Sequence, residues 1–305
     1  MKNVIRIIPR LDVKGPNLVK GVHLEGLRVL GKPEDFATRY YQQGADELIY
    51  MDVVASLYGR DNLKDIVAKA AQNIFIPLTA GGGVRTIDDI KQLLRVGADK
   101  IAINTAAIAN PSIIKEGARR FGSQCIIVSI EAKRMPGGQY VCFTDNGREP
   151  TGKDAYQWAK EVVDLGAGEI LLTSIDREGT GTGYDLELVR TMADMLPIPV
   201  IACGGAGSLT SIVQVVKEGR ADAVCAASLF HYHRLQEMSL QEEHFSQEGN
   251  IEYIKQSRGS LNFISGRIQK CDVATVKGAL VEAGIACRTM GEAEAAELLE
   301  RQVTL

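Results

Sequence analysis

Two carboxylates, Asp12 and Glu131, stand at matching points of a chain that repeats itself, and a matched pair of carboxylates suits proton transfer. Each follows a short apolar run, Val4–Leu11 for the first and Ile126–Ile130 for the second. One member of such a pair donates a proton while the other accepts one. A lone carboxylate there would more simply cap a loop or hold a lysine; the pairing favours chemistry. Asp52 and Asp176 form a second matched pair, placed either to orient a substrate or to brace the neighbouring loops. Glycine runs are matched too: Gly81-Gly82-Gly83 and Gly204-Gly205-Ala206-Gly207. Asn104-Thr105 and Ala227-Ser228 follow the next apolar run in each half. Glycine lets the backbone approach an anion, and helix-start N–H groups then bind phosphate oxygens, although glycine is also ordinary turn punctuation. One cluster per half implies two phosphate sites around Gly82, Gly83, Asn104 and Thr105 and around Gly204, Gly205, Ala227 and Ser228. A bisphosphate would bridge the carboxylates.

The elements that must position these residues alternate. Apolar runs at Val4–Leu11, Glu47–Asp52, Ile76–Ala80, Lys100–Ile103, Ile126–Ile130, Glu169–Ser174, Val200–Cys203 and Ala223–Ala226 read as strands. Amphipathic stretches at Pro33–Gln43, Thr86–Val96, Pro111–Phe121, Lys153–Leu165 and Leu186–Met195 read as helices. The βαβα rhythm requires a parallel sheet covered by helices, and eight strands suit a closed (β/α)₈ TIM barrel, whose chemistry sits at the C-terminal strand ends. Residues 1–121 resemble residues 122–231. Gly44-Ala45-Asp46-Glu47-Leu48 matches Gly166-Ala167-Gly168-Glu169-Ile170, and Ala98-Asp99-Lys100 matches Ala221-Asp222-Ala223. Two half-barrels explain that pattern. We therefore expect one barrel over residues 1–288, in halves of about 1–121 and 122–288, with an insertion at about 232–270 and a tail at 289–305.

Bulk properties exclude several classes. A length of 305 residues fits one α/β barrel, and 35 basic against 38 acidic residues argues against a dedicated nucleic-acid binder. Six scattered cysteines without a C-x-x-C spacing read as reduced thiols rather than a zinc site, and no cofactor or metal is expected. Met1–Pro9 lacks an apolar leader and no apolar run reaches membrane-spanning length, so a soluble, cytoplasmic protein is expected.

These residues resemble the cyclase subunit of imidazole glycerol phosphate synthase, a family of histidine biosynthesis. The resemblance lies in Arg6-Ile7-Ile8-Pro9-x-Leu11-Asp12-Val13-Lys14, in Gly97-Ala98-Asp99-Lys100 through Asn104-Thr105-Ala106-Ala107, in Phe121-Gly122-Ser123-Gln124, and in Gly166–Ser174 and Gly204–Gly207. It runs from about residue 4 to about residue 231 and resumes near Val276–Arg288. It implies a glutaminase partner on the N-terminal face, whose ammonia passes through the barrel to a phosphorylated small molecule at the other end. There the family closes an imidazole ring. The resemblance also implies an ammonia gate of Arg6, Glu47, Lys100 and Glu169, catalytic roles for Asp12 and Glu131, and ligand contacts from Lys20, Thr173 and Gly179. Read from the residues alone, the four gate positions start strands one, two, four and six and would cluster at the lower mouth. A stabilising salt-bridge layer is the simpler alternative, but buried ion pairs are a poor way to gain stability.

The sequence departs from that family at the chemical end. Its second catalytic carboxylate is an aspartate, and Glu131 stands there; Glu178 replaces another aspartate, Arg10 a cysteine, and Gly15-Pro16-Asn17 an Asp-Gly-Arg loop. Glutamate keeps the proton chemistry (reference pKa about 4.3 against 3.9). The extra methylene shifts the carboxylate by about 1 Å, a misplacement that can cost on the order of 100-fold in rate. The runs Lys14–Arg28 and Tyr50–Arg60 are similar to a paralogous group found with surface-polysaccharide genes. That similarity implies a cyclase-like subunit feeding ammonia to a sugar amidotransferase on its C-terminal face, for amidination of an acetamido sugar. The authentic cyclase and a non-catalytic ammonia conduit remain as alternatives. The long connection Tyr232–Lys270 after strand eight must emerge on the same face, as a docking surface or lid or as a decoration with its own helix.

Overall fold

The computed structural model describes residues 4–55, 63–238 and 267–289. Eight parallel strands close on themselves: β1 (Arg6–Lys14), β4 (Leu48–Asp52), β5 (Leu78–Gly81), β6 (Lys100–Ile103), β7 (Ile126–Arg134), β10 (Glu169–Ser174), β11 (Val200–Cys203) and β12 (Ala223–Ala226). Pairing of β10 with β7 on one side and of β12 with β1 on the other completes the ring. This is the expected (β/α)₈ barrel, with helices such as Pro33–Gln42, Ile87–Arg95, Ser112–Phe121, Ala155–Asp164 and Leu186–Met195 packed outside.

Strands buried on both faces read as unbroken apolar runs, and here each face has its own core. Ile7, Leu11 and Val13 of β1 point outward to the helices with Leu48, Ile101, Val128, Ile170 and Val200. Ile8, Ile49, Ala102, Ile127, Leu171, Ile201 and Ala223 fill the lumen. Because strand side chains alternate, Arg6, Arg10 and Asp12 lie on the same inward face of β1 as Ile8.

Two differences from the sequence reading matter for the site. Strands one and five do not stop at Leu11 and Ile130. Both run on beyond the barrel and pair with antiparallel hairpins: β2 (Asn17–Val22) with β3 (Glu25–Gly31), and β8 (Tyr140–Thr144) with β9 (Glu149–Asp154). Turn residues in left-handed conformation, His23 and Leu24 in one and Asp145 and Asn146 in the other, give both hairpins their tight reversal. The hairpins meet over the barrel mouth. Asn146 donates from Nδ2 to the Leu24 carbonyl (3.0 Å), and Leu24 packs with Val141, Phe143 and Ile175. The second difference lies after β12, where a helix, Ser228–Glu237, carries the chain through the first residues of the expected insertion. Residues 239–266 of that insertion and the tail from 290 lie outside the described residues.

The repeat has a mechanical cause. Asp46, Asp99 and Asp222 each accept a hydrogen bond from the first residues of the preceding strand: Ile7 N (2.8 Å), Leu78 N (2.8 Å) and Val200 N (2.9 Å). Their own N–H groups return the bond to the same residues' carbonyls. At the fourth such position stands Gly168, which keeps the backbone bond to Ile126 O (2.9 Å). A Cβ there would lie 2.1 Å from Ser123 O, so the bracket has no room for a side chain. Gly168→Ala is therefore expected to destabilise the fold by about 1–3 kcal/mol, the usual cost of forcing backbone apart. A fall in denaturant midpoint at unchanged slope is the readout.

Candidate active site

The base of the lumen carries a closed ring of four charges. Arg6 binds Glu47 (Nη1 to Oε1, 2.6 Å) and Glu169 (Nη2 to Oε2, 2.8 Å), while Lys100 binds the same two carboxylates at 2.9 and 2.6 Å. These are the four residues expected at the lower mouth, and the fold brings all of them together. Burial by itself would raise the Glu169 carboxyl, yet the hydrogen bonds and charges of Arg6 and Lys100 hold it below its ordinary range. Immediately above lies the apolar collar of Ile8, Ile49, Ile127, Leu171 and Ile201.

At the other end Asp12 and Glu131 occupy equivalent places, each where a barrel strand passes into its hairpin. Asp12 is in register with Met51 and Val19, and Glu131 with Thr173 and Phe143. Their environments are not equivalent. Arg10 donates from Nε to Asp12 Oδ1 (2.7 Å), and Lys20 Nζ lies 3.9 Å from the other oxygen. Lys20 is bound in turn to Glu178. All four side chains are buried, and two cations against two anions leave the cluster neutral. Glu131 has no such partner, and its Oε2 is buried without a hydrogen bond among the described residues. Burial pushes its carboxyl up to about 7, against the opposing pull of Arg10 and the Gly147 N–H, with Asp12 adding to the rise. A carboxyl half-ionised near neutrality both donates and accepts protons at pH 7. Asp12 is held in an ion pair with Arg10, and Glu131 has no cation bound to it.

Open space divides the same way. A cavity of about 380 Å³ lies over strands β4 to β7 and is lined by Asp52, Gly82, Gly83, Asn104, Thr105 and Glu131, with Met51, Ala102 and Ser129 among its deeper residues. The corresponding niche over β10 to β12 gathers Gly179, Gly204, Gly205, Ala227 and Ser228, but its volume is only about 10 Å³, room for one water-sized molecule at most. The expected residues thus segregate into the two halves as the repeat requires. Thr173 faces neither niche; its Oγ1 lies 3.4 Å from Arg10 Nη1. Asp176 accepts from Arg134 N (2.8 Å) and braces the strand-five extension, and Asp52 Oδ1 accepts from Val54 N and Ala55 N (3.0 and 2.9 Å) within its own loop. Packing alone demands several of the glycines. A Cβ on Gly82 would lie 2.1 Å from Asp52 O, and one on Gly205 2.2 Å from Gly183 O. Asn104 donates from Nδ2 to Phe143 O (3.1 Å), and Thr105 Oγ1 accepts from Asp145 N (3.2 Å), so both hold the second hairpin.

Sequence reasoning gave no role to Arg10 beyond its departure from the family. The signal was present: Arg10 precedes Asp12 by two residues on one strand and must share its inward face. The partnership of Lys20 with Glu178, 158 positions away, left no such trace. Among the described residues no group of three His, Cys, Asp or Glu could hold a metal ion. His231 is buried against Tyr40, hydrogen-bonded to its hydroxyl at 2.6 Å, and burial drives its pKa down to about 3, so it stays neutral. No described helix is long and apolar enough to cross a membrane.

Residues 6–236 match the model of a family described as "Histidine biosynthesis protein". The chain is 64% identical over 209 residues to "Imidazole glycerol phosphate synthase subunit HisF" of Legionella pneumophila, a match covering 68% of this chain and 98% of that protein.

Proposed function

As the chain belongs to the histidine biosynthesis protein family, we propose that it is the HisF-like barrel subunit of a glutamine amidotransferase complex, taking ammonia from a glutaminase at its N-terminal face. The observation that carries this reading is the four-charge ring beneath an apolar collar. Ring and collar together pass a small neutral molecule and reject its ion, because moving ammonium into an apolar lumen is far costlier than moving ammonia. Ammonia then reaches Met51, Ala102 and Ser129 at the inner side of the open cavity, where Glu131 waits. Addition of the ammonia nitrogen to an electrophilic carbon leaves a surplus proton on nitrogen, and the Glu131 carboxylate takes it.

The acceptor is the finer question. Arg10 and Glu178 have altered the chemical end while the entrance is kept, which favours an acceptor other than the family's bisphosphate. With the similarity of Lys14–Arg28 and Tyr50–Arg60 to the surface-polysaccharide paralogs, we take it to be a sugar. A sugar amidotransferase docked on the C-terminal face would then present the activated sugar at the mouth beside Glu131, where the ammonia adds, for amidination in the cytoplasm. The second reading, the ring-closing cyclase of histidine biosynthesis, is favoured by the name of the Legionella relative. Expression in a histidine auxotroph lacking its cyclase separates the two. No growth is expected, and robust growth would sink the sugar reading while leaving the ammonia route in place. Glutamine hydrolysis by the co-expressed glutaminase, faster by about tenfold or more when this chain is added, is expected under both readings; no stimulation would sink the complex itself.

A further inference from the structure

The two halves of the mouth are alike in sequence and backbone, yet one holds a cavity of about 380 Å³ and the other a niche of about 10 Å³. Arg10 is one of the groups that fill the smaller one, beside the Gly183 backbone that packs on Gly205. Arg10 projects inward from β1 and leans toward the second half, with Nη1 3.4 Å from Thr173 Oγ1 and 3.7 Å from Cys203 Sγ. It lines the small niche together with Glu178, Gly204, Gly205, Cys225 and Ser228. The guanidinium is fully buried, and its Nη2 has no partner among the described residues. A buried donor left bare costs about 1–3 kcal/mol, and buried ion pairs seldom repay their desolvation. Stability is thus a poor reason for an arginine here. Electrostatics point the same way: Arg10 is committed to Asp12, and the charged residues lining the niche, Arg10 and Glu178, leave it no net positive charge to offer an anion.

We propose that Arg10 is a specificity-determining residue that occludes the second-half site, so that the mouth takes a ligand carrying one anionic anchor, seated in the first-half cavity beside Glu131, and not a bisphosphate spanning both halves. This deepens the reading of the mouth as the reacting face and rests on it. Occlusion itself is measurable without glutaminase, glutamine or acceptor, so a failed ammonia relay and a failed occlusion would be told apart.

The niche contains its own reporters. Cys203 and Cys225 are buried beside Arg10, whereas Cys125 and Cys287 are part-exposed and serve as internal controls. Methyl methanethiosulfonate is added to the native full-length protein and labelling is followed by peptide mass spectrometry. In the wild type Cys125 and Cys287 react and Cys203 and Cys225 do not, while a thiol placed in the open half by Ala106→Cys, at a half-buried residue of the cavity lining, does. Arg10→Ala exposes Cys203, raising its rate by about tenfold or more. Wild-type labelling of Cys203 as fast as that at Ala106→Cys overturns the occlusion. Binding of hexyl phosphate and of hexane-1,6-diol bisphosphate is then compared by calorimetry. The wild type is expected to bind both within about threefold of each other, and Arg10→Ala combined with Asp12→Asn, which opens the niche while keeping one cation against one anion, to gain about tenfold for the bisphosphate alone, equivalent to ~1.4 kcal/mol. A wild type that prefers the bisphosphate by about tenfold, or binds neither, overturns the single-anchor assignment. Should Arg10→Ala fail to fold, the wild-type labelling and the wild-type affinity ratio still decide.

Discussion

Glu131→Gln is expected to lower ammonia-dependent turnover by ~10²–10⁴-fold, the usual worth of a positioned general acid or base, and at the same time to make the barrel more stable at alkaline pH. Both effects come from one property. Burial raises the Glu131 carboxyl to about 7 from an ordinary 4.5, and its Oε2 has no partner to stabilise the anion. Gln has nearly the same shape, cannot ionise and cannot carry a proton through a reaction. If Glu131 accepts the proton released by the adding ammonia, wild-type turnover rises through a limb near pH 7, and the variant loses that limb. The stability effect follows from linkage. Between pH 4.5 and about 7 the folded chain keeps a proton on Glu131 that the unfolded chain has released. Unfolding therefore becomes easier as pH rises through that window, and above it the folded state bears a buried, unpaired anion. The penalty at pH 8 is on the order of 3 kcal/mol, at 1.36 kcal/mol per pKa unit. Unfolding free energies of wild type and variant should coincide near pH 4.5 and separate in favour of the variant by pH 8. Equal stability at both pH values would mean that Glu131 titrates normally and is no proton carrier.

Such a test is needed because the sequence displays the symmetry of this site and hides its asymmetry. The bracket of Asp46, Asp99 and Asp222, the glycine runs and the apolar periods all recur at fixed spacing, so the closed barrel was legible. The last three strands and the fourth have the expected ends. The hairpins after strands one and five were not foreseen, although Gly15-Pro16-Asn17 and Asp145-Asn146-Gly147 are turn signals. Asn17–Val22 is almost wholly buried and shows no polar–apolar alternation to mark it as a strand. For the same reason the pair Asp12 and Glu131 was legible as a pair, but not as one ion-paired and one unpaired carboxylate. That distinction depends on how far Arg10, Lys20 and Glu178 reach across the mouth, and reach is not written in spacing.

The ring at the other end allows the sharpest test of passage. Lys100→Met removes one of the two cations that bridge Glu47 and Glu169, and Arg6 alone must then hold both carboxylates. The strand still buries a side chain of similar length, so the change falls on charge and on the closure of the ring. Two consequences are expected. Glu169 loses part of what holds its pKa down, and with it a contribution to stability that is present above the unfolded value and lost as pH falls through the folded one. The variant is thus weakened at pH 7, and the deficit shrinks only as pH falls below 4.5. Breaking a buried pair costs about 3–5 kcal/mol, and partial exposure of this ring brings the expectation to about 1–2 kcal/mol. The larger effect is on transfer: with the ring open to water, ammonia from glutamine escapes before it reaches the collar. Product formed from glutamine should fall by about an order of magnitude, while product formed from added ammonium chloride at pH 8.5, which enters from solution, should change by less than about threefold. An equal loss with both nitrogen sources would place Lys100 in the folding of the barrel and not on the path of the ammonia.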